Sequence, residues 1–360
     1  MRPGSLLVIP LVGCASALVV ACTGPASQGP SGSSASSAQT SQGSPAADAA
    51  PSSSGASPSA SGSSATVPSD TPSVVSSAAV ASLFDEPITG DDLRIVSERP
   101  GTSAYTSQVI SYRANGLLIT GLLNTPRGDG PFPVVVAAHG YINPETYYTG
   151  QGFSREQDYL PRRGYAVLHV DYRGHAGSDA DPAAMERLRL GYAEDVIAAA
   201  LALRTTSIPA LDPDRVAILG RSMGGGVALT ALVAQPGLFD AAVLYSSVSS
   251  DAGENFNRWS RMSGVGEAIA AVHGTPESNP EFWRAASPWP HFDRITEPVL
   301  VHHGTDDQTC PVSYSRDIVD RLAAADVDVT YREYPGQDHL FWSAWQKSIE
   351  TTADFLDQHV

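Results

Sequence analysis

The sequence is poor in cysteine, with three in 360 residues at positions 14, 22 and 310. Only Cys310 falls in the part that reads as folded, so no disulfide framework can form within it and no cysteine pair has the spacing of a zinc site. Basic residues are in deficit: 22 Lys and Arg stand against 38 Asp and Glu, a formal net charge of −16. A phosphate backbone selects basic surfaces, which argues against nucleic acid as a partner. The apolar run from Leu6 to Leu18 is broken by Pro10 and Gly13. It falls short of the roughly 20 apolar residues a membrane-spanning helix needs. From Thr23 to Ser82 there is no aromatic residue, and Asp48 and Asp70 are the only charges. Such a stretch cannot bury enough apolar surface to offset the entropy of ordering it.

What is present begins with an export pattern over residues 1–21: Arg2, the apolar run, then small residues before Cys22. Val19-Val20-Ala21-Cys22 resembles the lipobox of bacterial lipoproteins. That resemblance implies cleavage before Cys22, lipidation of Cys22 and attachment to the outer face of the cell membrane; the alternative is a secretory signal with an incidental cysteine. Residues 22–84 read as a tether rich in Ser, Ala, Pro and Gly, whose roughly 60 residues would reach about 40 Å as a flexible coil. Residues 85–360 have ordinary globular composition and the size of one α/β domain.

Within that domain strand-like and helix-like segments alternate, which predicts a mostly parallel sheet of eight strands with helices on both faces. Asn115-Gly116 marks a hairpin between the first two strands. The run "PVVVAAHG" reads as a strand buried on both faces, and an amphipathic helix is expected near Leu188 to Arg204. Residues 248–294 break the alternation and carry Trp259, Trp283 and Trp289. They read as a small helical cap over the carboxyl edge of the sheet, its tryptophans lining a pocket or packing in a core.

Ligands of open α/β sheets bind beyond the carboxyl ends of the strands, so the residues that follow each strand carry the chemistry. Gly220-Arg221-Ser222-Met223-Gly224 fits G-x-S-x-G between a strand and a helix, which makes Ser222 a candidate nucleophile; the alternative is a helix N-cap. After "PVLVHHG" come Asp306 and Asp307. Spacing favours Asp307 as the acid that orients a histidine, and Asp306 as a turn residue. His339, in the loop before the last helix, completes the order Ser, Asp, His. An oxyanion hole needs two N–H donors, for which Met223 and Tyr141 are the candidates. His139 has no partner at ligand spacing, and His302 and His303 point to opposite faces of a strand, so none of the three suggests a metal.

The blocks "HGY", "DYRGHAGSD", "GRSMGGG", "SPWPHFDRITEPVLVHHGTDDQTCP" and "YPGQDHLF" occur in the order of the α/β-hydrolases. They resemble the catalytic domain of the prolyl oligopeptidase family and its dienelactone-hydrolase-like relatives. The resemblance runs from about Gln108 to Val360. It implies an α/β-hydrolase fold, a Ser222–Asp307–His339 triad and an oxyanion hole from the Tyr141 and Met223 N–H groups. Cys310 departs from the aliphatic residue usual before the proline, and no β-propeller precedes the hydrolase segment. The expectation is an exported serine hydrolase that needs no cofactor and acts on a small ester, an amide or a short peptide. Chemistry slightly favours an esterase and family likeness a peptidase. A binding lipoprotein that keeps the fold without catalysis would show a lost triad member, and none is lost.

Overall fold

The computed structural model describes residues 76–85 and 87–360. Residues 1–21, Cys22 and most of the expected tether lie outside the described residues. The tether's expected end at residue 84 falls too late: Ala78, Val80 and Leu83 are buried, Leu83 within a short helix α1 (Ser82–Asp85), and the Val80 N–H donates to Ala285 O. These few apolar residues find a core to join, which composition averaged over the segment hides.

Among the described residues nine strands form one sheet in the order β1-β2-β3-β5-β4-β6-β7-β8-β9. They are β1 (Gly90–Arg99), β2 (Tyr105–Ala114), β3 (Leu117–Pro126), β4 (Phe132–Ala138), β5 (Ala166–Val170), β6 (Leu211–Arg221), β7 (Ala241–Tyr245), β8 (Val299–Gly304) and β9 (Val329–Tyr334). The expected count of eight is corrected by β1. This edge strand buries only Leu93 and is held antiparallel to β2 through a register with two shifts, so it carries no apolar alternation to read. Asn115 and Gly116, with φ of 48° and 85°, form the turn of the β2–β3 hairpin, and positive φ at both positions suits the right-handed twist of its strands.

From β4 to β9 the strands run parallel. Their residues divide by period two between two cores. Val134, Val136 and Ala138 of β4 face one, together with α3 (Gly191–Arg204), α4 (Met223–Ala234) and α8 (Val312–Ala324). Val135 and Ala137 face the other, with α2 (Ser154–Arg162) and α9 (Trp345–His359). Burial on both faces explains why β5, β7 and β8 are wholly apolar or histidine-bearing and wholly buried. The expected amphipathic helix α3 is instead buried over nearly its whole circumference. Its two acids are inside as well, because Arg173 binds both Glu194 and Asp195 at 2.8 Å.

The chain leaves β4 for β5 on one side and returns to β6 on the other, so the strand order reverses at β4. Such a reversal opens a crevice at the carboxyl ends of β4 and its neighbours, and this is where the candidate site lies. Between β7 and β8 come α5 (Ala252–Asn255), a single π turn, α6 (Gly264–His273), α7 (Pro280–Ala285) and a 3-10 segment, Trp289–Arg294. This segment has a small core of its own in Phe256, Ile269 and Trp283, against which Met185 and Leu188 pack. Its three tryptophans have three fates: Trp283 is core, Trp289 lies against the main core, and Trp259 is 47% exposed.

Candidate active site

The turn from β6 into α4 holds Ser222 at φ 57°, ψ −122°, a left-handed conformation that a serine adopts only under constraint. Close packing supplies the constraint. A Cβ on Gly220 would stand 2.2 Å from Gly224 O, and one on Gly224 would stand 1.8 Å from Ala138 O. The Ser222 N–H donates to Tyr245 O at 2.9 Å, while its carbonyl accepts from the N–H groups of Gly225 and Val248. The side chain caps no helical N–H, which removes the N-cap role. Beneath the turn, buried Arg221 pairs with Glu156, which also accepts from Trp345 Nε1 at 3.0 Å. Burial pushes the Glu156 carboxyl upward, but the Arg221 charge and the indole N–H outweigh it and hold the group below its usual range.

Asp307 follows β8 and is 5% exposed, whereas Asp306 lies at the surface, where its N–H donates to Gln337 O. One Asp307 oxygen accepts from the N–H groups of Thr309 and Cys310, at 2.8 and 2.9 Å. The other stands 2.7 Å from His339 Nδ1 and 3.3 Å from His303 Nε2. Burial raises the Asp307 carboxyl, but the bonds from His303 and His339 overcome that and carry it far below the ordinary range. Asp307 is therefore an anion with donors on both oxygens. It takes the Nδ1 proton of His339 as a hydrogen bond and leaves Nε2 as the basic nitrogen.

His303 is the residue that sequence reasoning missed. Its ring meets Ser315 Oγ at 2.6 Å and Cys310 O at 2.9 Å, and it reaches Asp307 four residues on. His302 lies on the opposite face, between Tyr334 and Thr352. The signal for His303 was the i, i+4 spacing of a buried histidine and a strand-end acid.

The loop after β4 runs beside Ser222: a Cβ on Gly140 would lie 3.7 Å from Ser222 Oγ. The His139 ring meets Gly140 O at 2.6 Å, and Tyr172 donates to His139 O at 3.1 Å, so the loop is fixed from below. Burial, then the neighbouring His169, lowers His139 to about 3, which makes it a neutral support. Tyr141 follows at the surface and Met223 opens α4. Among the described residues, no protein acceptor takes either backbone N–H.

Asp307 and His339 are joined directly, while Ser222 Oγ has another neighbour, Cys310 Sγ at 3.9 Å. Burial and the charge of Asp307 push that thiol up to about 12, so it stays neutral.

Comparisons with known proteins agree with this architecture. The chain is 25% identical to an uncharacterized peptidase, YuxL, of Bacillus subtilis over 77% of its own length and 42% of the relative's. It is 30% identical to a monoacylglycerol lipase of Mycolicibacterium smegmatis over 60% of its length and 83% of the lipase. A solved puromycin-hydrolyzing peptidase of Mycobacterium tuberculosis superposes with a TM-score of 0.56 at 29% identity, covering 72% of this chain and 40% of that one. The chain thus spans less than half the length of both peptidases. The sequence profile of the prolyl oligopeptidase family matches residues 151–360, the stretch that holds Ser222, Asp307 and His339. By that match and by its fold, the chain belongs to the prolyl oligopeptidase family of serine hydrolases, and its matched relatives include both peptidases and a lipase.

Proposed function

We propose that the protein cleaves carboxylic ester or amide bonds by acyl transfer through Ser222, His339 and Asp307. The observation that carries this reading is the 2.7 Å bond from His339 Nδ1 to a buried, anionic Asp307, at the strand end beyond the serine elbow. On substrate binding Ser222 Oγ turns from Cys310 toward His339, whose Nε2 takes the hydroxyl proton as Oγ attacks the carbonyl carbon. The Tyr141 and Met223 N–H groups receive the developing oxyanion. His339 then gives the proton to the leaving group, and water releases the acyl chain by the same steps in reverse. A fluorophosphonate probe should label the native protein and fail on Ser222→Ala; equal labelling of the two overturns the assignment.

Ester hydrolysis is the first choice of substrate chemistry. Its support is the monoacylglycerol lipase, a relative matched over 83% of its own length. Amide hydrolysis is the second reading, supported by the family profile. Turnover of p-nitrophenyl esters against dipeptide and aminoacyl amides separates them.

The same reading puts the enzyme outside the cell membrane, anchored through Cys22, on the strength of the Leu6–Leu18 run and Val19-Val20-Ala21-Cys22. Metabolic labelling with palmitate should mark the native protein and not Cys22→Ala; labelling of both refutes the anchor.

A further inference from the structure

Immediately before α3 two successive non-glycine residues, Leu188 and Arg189, have φ of 49° and 62°. Left-handed backbone is uncommon outside glycine, and two such residues in a row persist only where the surroundings impose them. Here both flanks are tied down. Arg173 binds Asp181 at 2.9 Å and the α3 acids beyond, Arg187 pairs with Glu194, and the Arg189 N–H donates to Ala184 O at 2.8 Å. Leu188 packs into the small core beneath the cap.

This backbone turns Arg187 and Arg189 to different ends. Arg187 is consumed by Glu194. The Arg189 guanidinium lies over the ring of Tyr141, 5.4 Å from its centroid, and among the described residues it has no carboxylate or carbonyl acceptor. Two other arginines reach the loops that carry Asp307 and His339 and are both engaged: Arg258 of the π turn donates to the carbonyls of Gln308 and Thr309, and Arg155 of α2 to that of Leu340. Among the described residues Arg189 is thus a cation without an acceptor, held beside Tyr141, the candidate oxyanion donor. Tyr141 is 60% exposed and adjoins Gly140, which flanks Ser222. A chain of net charge −16 repels anions at long range, so a free guanidinium held at this place supplies a local exception.

We infer that Arg189 is a specificity residue that receives a carboxylate carried by the substrate, close to the bond that Ser222 cleaves. The inference rests on the acyl-transfer reading above and names a substrate class for it: esters or amides bearing a carboxylate. Guanidinium and carboxylate match as a two-pronged hydrogen-bonded pair, with Tyr141 holding the fork in plane from one side.

Two matched pairs of esters test it, one with the charge on the acyl side (4-nitrophenyl hydrogen glutarate against 4-nitrophenyl valerate) and one with it on the leaving group (4-acetoxybenzoate against phenyl acetate). The readout is the ratio of kcat/KM for the charged and neutral members. In at least one pair that ratio should fall about 10- to 100-fold in Arg189→Gln and recover in part in Arg189→Lys, the scale of losing one charge-assisted pair. Salt between about 20 mM and about 0.5 M should separate the two proteins as well: screening of the net negative charge lifts the ratio in both, and screening of the Arg189 pair offsets that lift only in the native enzyme. If Arg189→Gln folds poorly, Arg189→Lys carries the same comparison, because it keeps the charge and loses the two-pronged geometry. Ratios unmoved by the substitution in both pairs, with the same salt dependence in native enzyme and variant, overturn the inference. Turnover of phenyl acetate by Ser222→Ala would instead overturn the acyl-transfer reading.

Discussion

The strand-end turns and the cap meet at the same edge of the sheet but are built on different terms. The turns are over-determined: Gly220 and Gly224 leave no room for a methyl group, and Asp307 has donors on both oxygens. The cap rests on Phe256, Ile269 and Trp283, and it leaves Trp259, Met262, Val265 and Val272 exposed. Groups that must hold a reacting geometry need the first kind of support. A surface that meets varied substrates can use the second, where a change of shape disturbs few neighbours.

The sharpest way to separate the two regions is acid. Burial lowers His139 to about 3, His169 to about 4 and His302 to about 3, and all three lie at the sheet. An unfolded chain protonates its histidines near 6.5, so between there and about 4 the unfolded state binds protons that the folded state refuses. Stability is then present above about pH 6.5 and is lost as pH falls, by up to about 1.4 kcal/mol per pH unit for each histidine. Asp195, which burial raises to about 6, works in the opposite sense and offsets one of the three. Urea midpoints should drop steeply from pH 7 to pH 4.5, with hydrogen exchange at β4, β5 and β8 rising in step. A flat midpoint would contradict the buried neutral imidazoles.

A backbone test comes next in size. Gly224→Ala would set a methyl group against Ala138 O at 1.8 Å and should cost at least about 3 kcal/mol while abolishing probe labelling at Ser222. Retained labelling would mean that the elbow has slack it does not show.

On the other side of the comparison, Trp283→Ala empties the small cap core, at about 3 kcal/mol of local stability. Exchange should rise across residues 252–285 and KM should change with the substrate's size, while exchange in β6 stays slow. Loosening of β6 along with the cap would show that the two regions share one core after all.

Much of this could be read from the chain because the parallel strands are buried on both faces and so announce themselves as apolar runs ending in Gly, Ser or Asp. Asp307 was separable from Asp306 by its distance from the His-Gly pair, since that spacing follows from strand geometry. The edge strand β1 escaped notice because a strand buried only at Leu93 has no pattern. Arg189 escaped for another reason. Its proposed role depends on a left-handed turn at Leu188 and Arg189 that no glycine marks, and on the lack of an acceptor among the described residues, which only the folded neighbourhood reveals. The cap tryptophans could not be sorted because composition does not say which ring finds a partner. His303 and His139 looked like ligands by type, and only their buried bonds to Asp307 and Gly140 give them their places.

The buried link from Arg221 through Glu156 to Trp345 joins the elbow to the last helix across most of the folded chain. A chain emerging from amino to carboxyl end forms the elbow long before it makes the indole that completes this link, or the imidazole six residues ahead of it. On the proposed mechanism, catalytic competence would therefore arrive with the final helix, and a chain truncated before it would carry Ser222 without the base that the mechanism assigns to it.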